Sequence, residues 1–293
     1  MLTVRAPATS ANLGSGFDVF GVALDRPADV VRVERADETT LEVTGVGSRY
    51  IPTDPAKNTA GVVAEALDAP ARIEIDKGVR PSSGLGSSAA SAAGAAVALD
   101  ALYGLDHTPE ELVRVAARGE AAVSGEPHAD NVAPAILGGF TVVTDETVTA
   151  VDASLPLVTC LPEAVVSTRD ARAAVPESLS LAEMTDAVGH AASLVVGMSR
   201  DDPDIVGEHM TDGVVTPARA DLIDGFAEVV AAAEDAGATG VTISGAGPAV
   251  LAVCRRPADR RAVADAMVEA FASVDVDARA YQTAIGGGVD VFE

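Results

Sequence analysis

Residues 81–91, PSSGLGSSAAS, crowd two glycines and four serines into positions 82–88, and an alanine-rich run follows to about residue 102. Glycine lets a backbone approach an anion closely, and the first turn of a helix offers N–H groups and a partial positive charge. Ser87 and Ser88 add hydroxyls suited to phosphate oxygens or a metal ion. Ala89, Ala90, Ala92 and Ala93 keep the first turns slim. A lysine-bearing phosphate loop, GxxxxGK[ST], does not fit, because residues 80–102 contain no lysine. Gly84-Leu-Gly86-Ser-Ser-Ala89 satisfies the dinucleotide pattern GxGxxG/A. That loop, however, follows a fully buried parallel strand, whereas here Glu74 and Asp76 alternate with Ile73 and Ile75. Two readings stay open on residue types alone: an anion cradle, and a capped packing helix after a flexible turn.

A second candidate is an acid on an apolar stripe. Thr108, Pro109 and Glu111 form a capping box that starts a helix over 109–124. Val113, Ala116 and Val123 share one face of it, and Glu120 falls on that face, while Glu111, Arg114 and Arg118 take others. A buried carboxylate needs a cation, and an arginine or a metal ion would serve. His107, His190 and His209 have no metal-ligand spacing, nor do Cys160 and Cys254.

The elements that must position these residues follow from periodicity. Residues 29–36, 39–46 and 71–76 alternate as strands, and 58–67 suits a short helix. The run after Ser87 is a helix closing near Gly104. Residues 138–153 resemble a hairpin. Helical spacing marks 180–200, 203–212 and 218–236. Residues 239–253 read as strand, glycine turn, strand, then come a helix over 257–272 and a strand over 275–283. The expectation is an α+β protein of two packed halves, divided near residue 155. Of the 293 residues 48% are hydrophobic, enough for a core. Forty-four acids against 20 basic residues give a net charge of −24, and Lys57 and Lys77 are the only lysines. Such a surface repels nucleic acid and anionic membranes. Because the acids are spread along the chain, they read as a solvated face adapted to high salt. The N-terminus lacks a signal-peptide pattern and no window reaches the length of a membrane span, so a cytoplasmic protein is expected.

Read together, three ordered stretches resemble the GHMP kinase superfamily. PSSGLGSSAAS is similar to its P-x-x-x-G-L-G-S-S-A nucleotide loop, APATSANLGSGFDVFGVAL (6–24) to its N-terminal substrate motif, and TISGAGPAVLAV (242–253) to its C-terminal glycine motif. TSANLGSGFDVFG, GEPHADNVAPAILGGF (125–140) and STRDAR (167–172) resemble the homoserine kinase branch, of archaeal halophilic type. The resemblance implies a two-domain fold, with an N-terminal ribosomal S5 domain 2-like unit over 1–155 and a ferredoxin-like unit over 156–293. It implies ATP and Mg2+, and transfer of the γ-phosphoryl group to L-homoserine, a step of threonine biosynthesis. Mevalonate and shikimate kinases are the rival members. A nucleotide sensor without turnover and a dehydrogenase are rivals of other classes. Relatives of this kind are often homodimers, an expectation carried by the resemblance alone.

Residue roles are implied in the same way. Pro81, Ser82, Ser83, Gly84, Leu85, Gly86, Ser87, Ser88, Ala89, Ala90 and Ser91 form the nucleotide loop, with Ser88 and Glu120 holding the metal. Thr168, Gly245 and Gly247 close the phosphate side, and Asn58 is offered for adenine. Asp18 faces the amine of the acceptor, and Arg172 and Arg219 its carboxylate, a geometry that arginine suits. Asn12, Asn131 and His128 complete the acceptor wall, with Asn131 near the reacting hydroxyl. Mevalonate kinases place an aspartate base seven residues before a Gly-Gly pair. Here that position is Asn131, with Asp130 beside it, so transfer without a dedicated base is expected.

Overall fold

The computed structural model describes residues 1–125, 127 and 129–292. The first half opens with β1 (Leu2–Ala11) and the long β2 (Phe20–Arg35), then β3 (Thr40–Gly45), α1 (Thr59–Ala66) and β4 (Ala71–Lys77). The loop and helix singled out in the sequence come next, as α2 (Ser87–Tyr103), followed by α3 (Pro109–Ser124) and α4 (Ala129–Leu137). A hairpin of β5 (Phe140–Val143) and β6 (Val148–Val151) completes this half. β2 pairs antiparallel with β1, β4 and β5, whereas β3 runs parallel to β4.

β4 buries Ala71, Ile73, Ile75 and Lys77 on one face, so its alternation fixes which side meets the helices. α2 contacts β1 and β2 as well as α1, α3 and α4. A helix surrounded on all sides wants no polar face and little bulk, which is what its alanines supply. α3 begins with the expected capping box: Thr108 Oγ1 accepts from Glu111 N, and Thr108 N donates to Glu111 Oε2.

The second half runs β7 (Pro156–Pro162), α5 (Thr168–Ala173), α6 (Leu181–Ser199), α7 (Pro203–Glu208), α8 (Val215–Ala220) and α9 (Phe226–Asp235). It continues through β8 (Ala238–Ile243), β9 (Val250–Cys254), α10 (Arg260–Ala272), β10 (Ala278–Ala284) and β11 (Asp290–Phe292). Four of these strands form an antiparallel sheet in the order β10-β7-β9-β8, with helices after the first and third strands in sequence. That is a ferredoxin-like arrangement. β11 instead pairs with β1, so residues 290–292 belong by hydrogen bonding to the first sheet. A shared core, including Leu13, Phe20, Phe140, Leu157, Leu194 and Leu251, joins the two halves.

One expected element is corrected. Residues 218–236 are not one helix but α8 and α9, separated by a turn that ends at Gly225 with φ +82°. Asp224-Gly225 is a turn dipeptide, and a left-handed residue there cannot continue a helix. β1, β7, α4, α5 and β11 have no counterpart among the elements expected from periodicity. β7 is buried on both faces, so it does not alternate. α4 carries Pro134 inside it.

Candidate active site

The glycine loop is shaped by what it touches. Gly86, φ +62°, caps α2, and a Cβ there would lie 2.0 Å from Thr9 Oγ1. Gly84, φ +80°, has the carbonyl of Ser244 2.4 Å from the place of a Cβ. Neither position admits a side chain. Backbone hydrogen bonds lace the three motifs together: Thr9 N to Leu85 O, Gly245 N to Ala11 O, and Ala249 N to Ser83 O. The Ser244 hydroxyl donates to the Gly84 carbonyl at 2.7 Å.

Beneath the loop lies a group that sequence reading missed. Lys77, at the end of β4, is buried and ion-paired with the buried Asp29 of β2. Its ammonium also donates to Ser87 O (2.7 Å) and Ser91 Oγ (2.8 Å). Asp29 accepts from the N–H groups of Gly78 and Val79 and from the Ser91 hydroxyl. Burial pulls the Lys77 ammonium below the ordinary lysine value, with Asp29 opposing. The signal was available: one of two lysines falls on the inward register of an otherwise apolar strand.

Around this floor opens a cleft of about 420 Å³, within the range of small-molecule sites. It is lined by Pro81, Ser82, Ser83, Gly84, Gly86, Ser87, Ser88 and Ser91, but not by Leu85, Ala89 or Ala90, whose side chains are packed in the interior. The Ser87 hydroxyl donates to Val79 O, so its side chain braces the loop rather than facing a ligand. Ser88 is exposed to the cleft and donates to Glu120 Oε2 at 2.9 Å. Glu120 is only 4% exposed, on the same buried face of α3 as Val113 and Ala116. Burial pushes its carboxyl up to about 7, with the charge of Asp130 adding and Ser88 and Lys77 opposing.

Two oxygen donors at the start of α2 and on α3, one of them a carboxylate raised by burial, fit a magnesium ion. That ion takes one or two protein ligands and completes its shell with water and phosphate. Asn131 and Asp130, on α4, line the cleft nearby. Thr9 Oγ1 donates to Asn131 Oδ1 (2.9 Å) and Asp130 is buried. Asn58 caps α1 by accepting from Ala60 N, and its amide donates to Pro52 O. Tyr50, Ile51, Pro52 and Thr59, none of them anticipated, line the same end.

The other end is charged. Asn12 accepts from Asp18 N and donates to Gly245 O, holding the 12–18 turn against the glycine turn of 244–248. Arg172 makes a two-pronged pair with Asp18, at 2.9 and 3.0 Å. Arg219, buried at the end of α8, donates to Ala171 O and Gly245 O. Both guanidiniums lie over the Phe17 ring, at 5.4 and 4.9 Å. Thr168 and Gly247 also line the cleft. His128 lies outside the described residues.

The description GHMP kinases N terminal domain matches residues 55–139, and GHMP kinases C terminal matches residues 194–273. The chain is 68% identical to the homoserine kinase of Haloarcula marismortui over 292 residues, covering 100% of both. The chain belongs to the GHMP kinase family. The homoserine kinase of Natronomonas pharaonis is 66% identical, again over 100% of each chain. Among solved structures, the homoserine kinase from Cytophaga hutchinsonii superposes with a TM-score of 0.90 at 35% identity, covering 99% of this GHMP kinase and 97% of that chain. The mevalonate kinase of L. major, at a TM-score of 0.74, 16% identity and coverage of 97% and 95%, shares the fold. Among the described residues no helix is long and apolar enough to cross a membrane.

Proposed function

We propose that this protein is a homoserine kinase, transferring the γ-phosphoryl group of ATP to the hydroxyl of L-homoserine to give ADP and O-phospho-L-homoserine. The observation that carries this reading is the charge set in the cleft: one carboxylate, Asp18, and two guanidiniums, Arg172 and Arg219, which line it together with the glycine loop. A hydroxylated zwitterion needs those charges, and an uncharged sugar does not. The high identity to homoserine kinases over whole chains supports the same acceptor.

In this reading the loop 81–91 and the N-terminus of α2 hold the phosphates through backbone N–H groups, with Thr168, Gly245 and Gly247 closing over them. Asn58 frames the adenine end as a cap and a brace, beside Tyr50 and Pro52. Ser88 and Glu120 would hold Mg2+, which neutralises charge on the phosphate oxygens when bound. Asp18 takes the ammonium and the arginines the carboxylate of homoserine, while Asn12 braces the turn and Asn131 orients the hydroxyl. His128 belongs to the same proposed wall. The hydroxyl oxygen forms its bond to the γ-phosphorus as the bond to the β–γ bridging oxygen breaks. The hydroxyl proton passes to an oxygen of the transferred group, with no dedicated base. Two units, 1–155 and 156–293, a cytoplasmic location, a high-salt habitat and a homodimer complete the proposal.

A panel of acceptors tests it. With ATP and magnesium at high salt, homoserine is expected to be phosphorylated, and mevalonate and shikimate are not. Strong turnover of mevalonate with none of homoserine would overturn the assignment.

A further inference from the structure

The lysine missing from the glycine loop stands behind it. Lys77 closes β4 with its side chain only 1% exposed, and an ammonium has three N–H groups to place. They go to Asp29 Oδ2, to Ser91 Oγ at 2.8 Å and to the carbonyl of Ser87 at 2.7 Å. Lys77 therefore lies in the floor of the cleft with its donors already spent inside the chain. Asp29 is fixed in turn by the N–H groups of Gly78 and Val79 and by the Ser91 hydroxyl. It opposes the loss of the Lys77 proton that burial favours, with further attraction from Glu120. The bond to Ser87 O falls on the first turn of α2. A peptide unit is planar, and in its trans form the carbonyl and the following N–H point in opposite directions. Ser87 C=O and Ser88 N–H share one such unit, so holding the carbonyl from inside fixes the direction of the N–H. A cation at the oxygen also polarises the unit and makes the N–H a stronger donor. The first bond within α2 runs from Ala90 N to Gly86 O, so the Ser88 N–H precedes it and has no carbonyl of its own helix to meet. Gly86, Ser87 and Ser88 line the cleft at that point.

We propose that Lys77 is a positioning residue for the nucleotide phosphates: through the Ser87–Ser88 peptide it aims and polarises the Ser88 N–H, supplying from behind what the lysine of an ordinary phosphate loop supplies by contact. The inference rests on the reading of residues 81–91 as a phosphate cradle. It gives Lys77 no contact with the nucleotide, and it gives Asp29 the task of holding the ammonium under the carbonyl. Removal of Lys77 should therefore be felt by the phosphates and not by the nucleoside.

The test compares adenosine with ADP in the Lys77→Met, Asp29→Asn double variant, which removes both buried charges together. Its denaturation midpoint is first matched to that of the wild type. Affinities are then read by calorimetric titration at high KCl with a chelator present, so that no metal takes part. ADP should bind about tenfold more weakly to the double variant, the size of one charge-assisted hydrogen bond, while adenosine stays within about twofold. Equal losses for adenosine and ADP overturn the proposal, because Lys77 would then serve the cleft as a whole or touch the base. Wild-type affinity for ADP in the double variant overturns it too. If the wild type itself binds ADP no more tightly than adenosine, the phosphate-cradle reading falls and the proposal with it, a result distinct from the other two. Where the double variant does not reach the wild-type midpoint, Ser91→Ala decides. That change keeps both charges and removes one partner of the ammonium, so ADP should bind about threefold more weakly with adenosine unchanged. Unchanged ADP affinity in that variant, or an equal loss for adenosine, overturns the proposal.

Discussion

Glu120 is where cost and use meet in one side chain. Its carboxyl is raised from 4.5 to about 7 by burial, so the folded protein without metal holds a proton there that the unfolded chain releases. This group carries no penalty below about pH 4.5, and its destabilisation builds up between about pH 4.5 and 7 and is constant above that. Glu120→Gln is expected to stabilise the metal-free protein at pH 8 by about 1–3 kcal/mol, raising its melting temperature, and to flatten its pH dependence between 5 and 7.5. The same substitution should lower kcat by at least about 100-fold, because in the proposed reading it removes the charge that would hold the metal. Thermal melts across pH, paired with steady-state kinetics, check both halves. Asp130 gives the opposite test. A general base contributes roughly 10²–10⁴-fold, so Asp130→Asn should keep turnover within about tenfold of wild type if no base operates. Abolished turnover with intact binding and folding would make Asp130 the base. Glu120 was legible in the sequence because its spacing put a charge on an apolar face. The pairing of Asp18 with Arg172 was not, because 154 residues separate them and no local pattern records their meeting.

At the scale of elements, the loop before α2 works because its surroundings leave it no alternative shape. Gly86→Ala would force a methyl onto Thr9 Oγ1 and strain a left-handed residue. A loss of about 2 kcal/mol or more in stability, with weaker nucleotide binding, is expected by chemical denaturation and nucleotide titration. Lys77→Met is the more severe change. It leaves Asp29 buried without its cation, and breaking such a pair costs roughly 3–5 kcal/mol. The extra loss should be largely recovered in the Lys77→Met, Asp29→Asn double variant, read from the same denaturation curves. The helices α2, α3 and α6 were readable from composition, caps and periodicity. β7 was hidden because burial on both faces erases alternation, and α8 and α9 read as one because helical spacing runs on across the Asp224-Gly225 turn. Lys77 stands on the inward register of β4, but the carboxylate that makes a buried lysine tolerable, Asp29, is 48 residues away and no local pattern records it.

The whole molecule carries a net charge of −24 with few lysines to offset it. At about 0.01 M salt the Debye length is about 30 Å, so the acids repel one another across the entire fold; at 1 M it falls to about 3 Å. The melting temperature should therefore climb steeply as KCl is raised from 0.05 to 2 M, and a flat profile would contradict this account. Fold class was readable from sequence, but β1, β7 and β11 of the two sheets, and the join between the halves, were not. Thr9 and Ala11 bond to Leu85 and Gly245, Ser83 bonds to Ala249, and Ser244 reaches across to Gly84. Partners drawn from the beginning, middle and end of the chain thus clamp one loop. A fragment stopping at residue 155 would contain every glycine and serine of that loop, yet miss the turn that presses it into shape. Nucleotide affinity, in the proposed reading, is then a property of the whole polypeptide, because distant parts of it close around a few glycines.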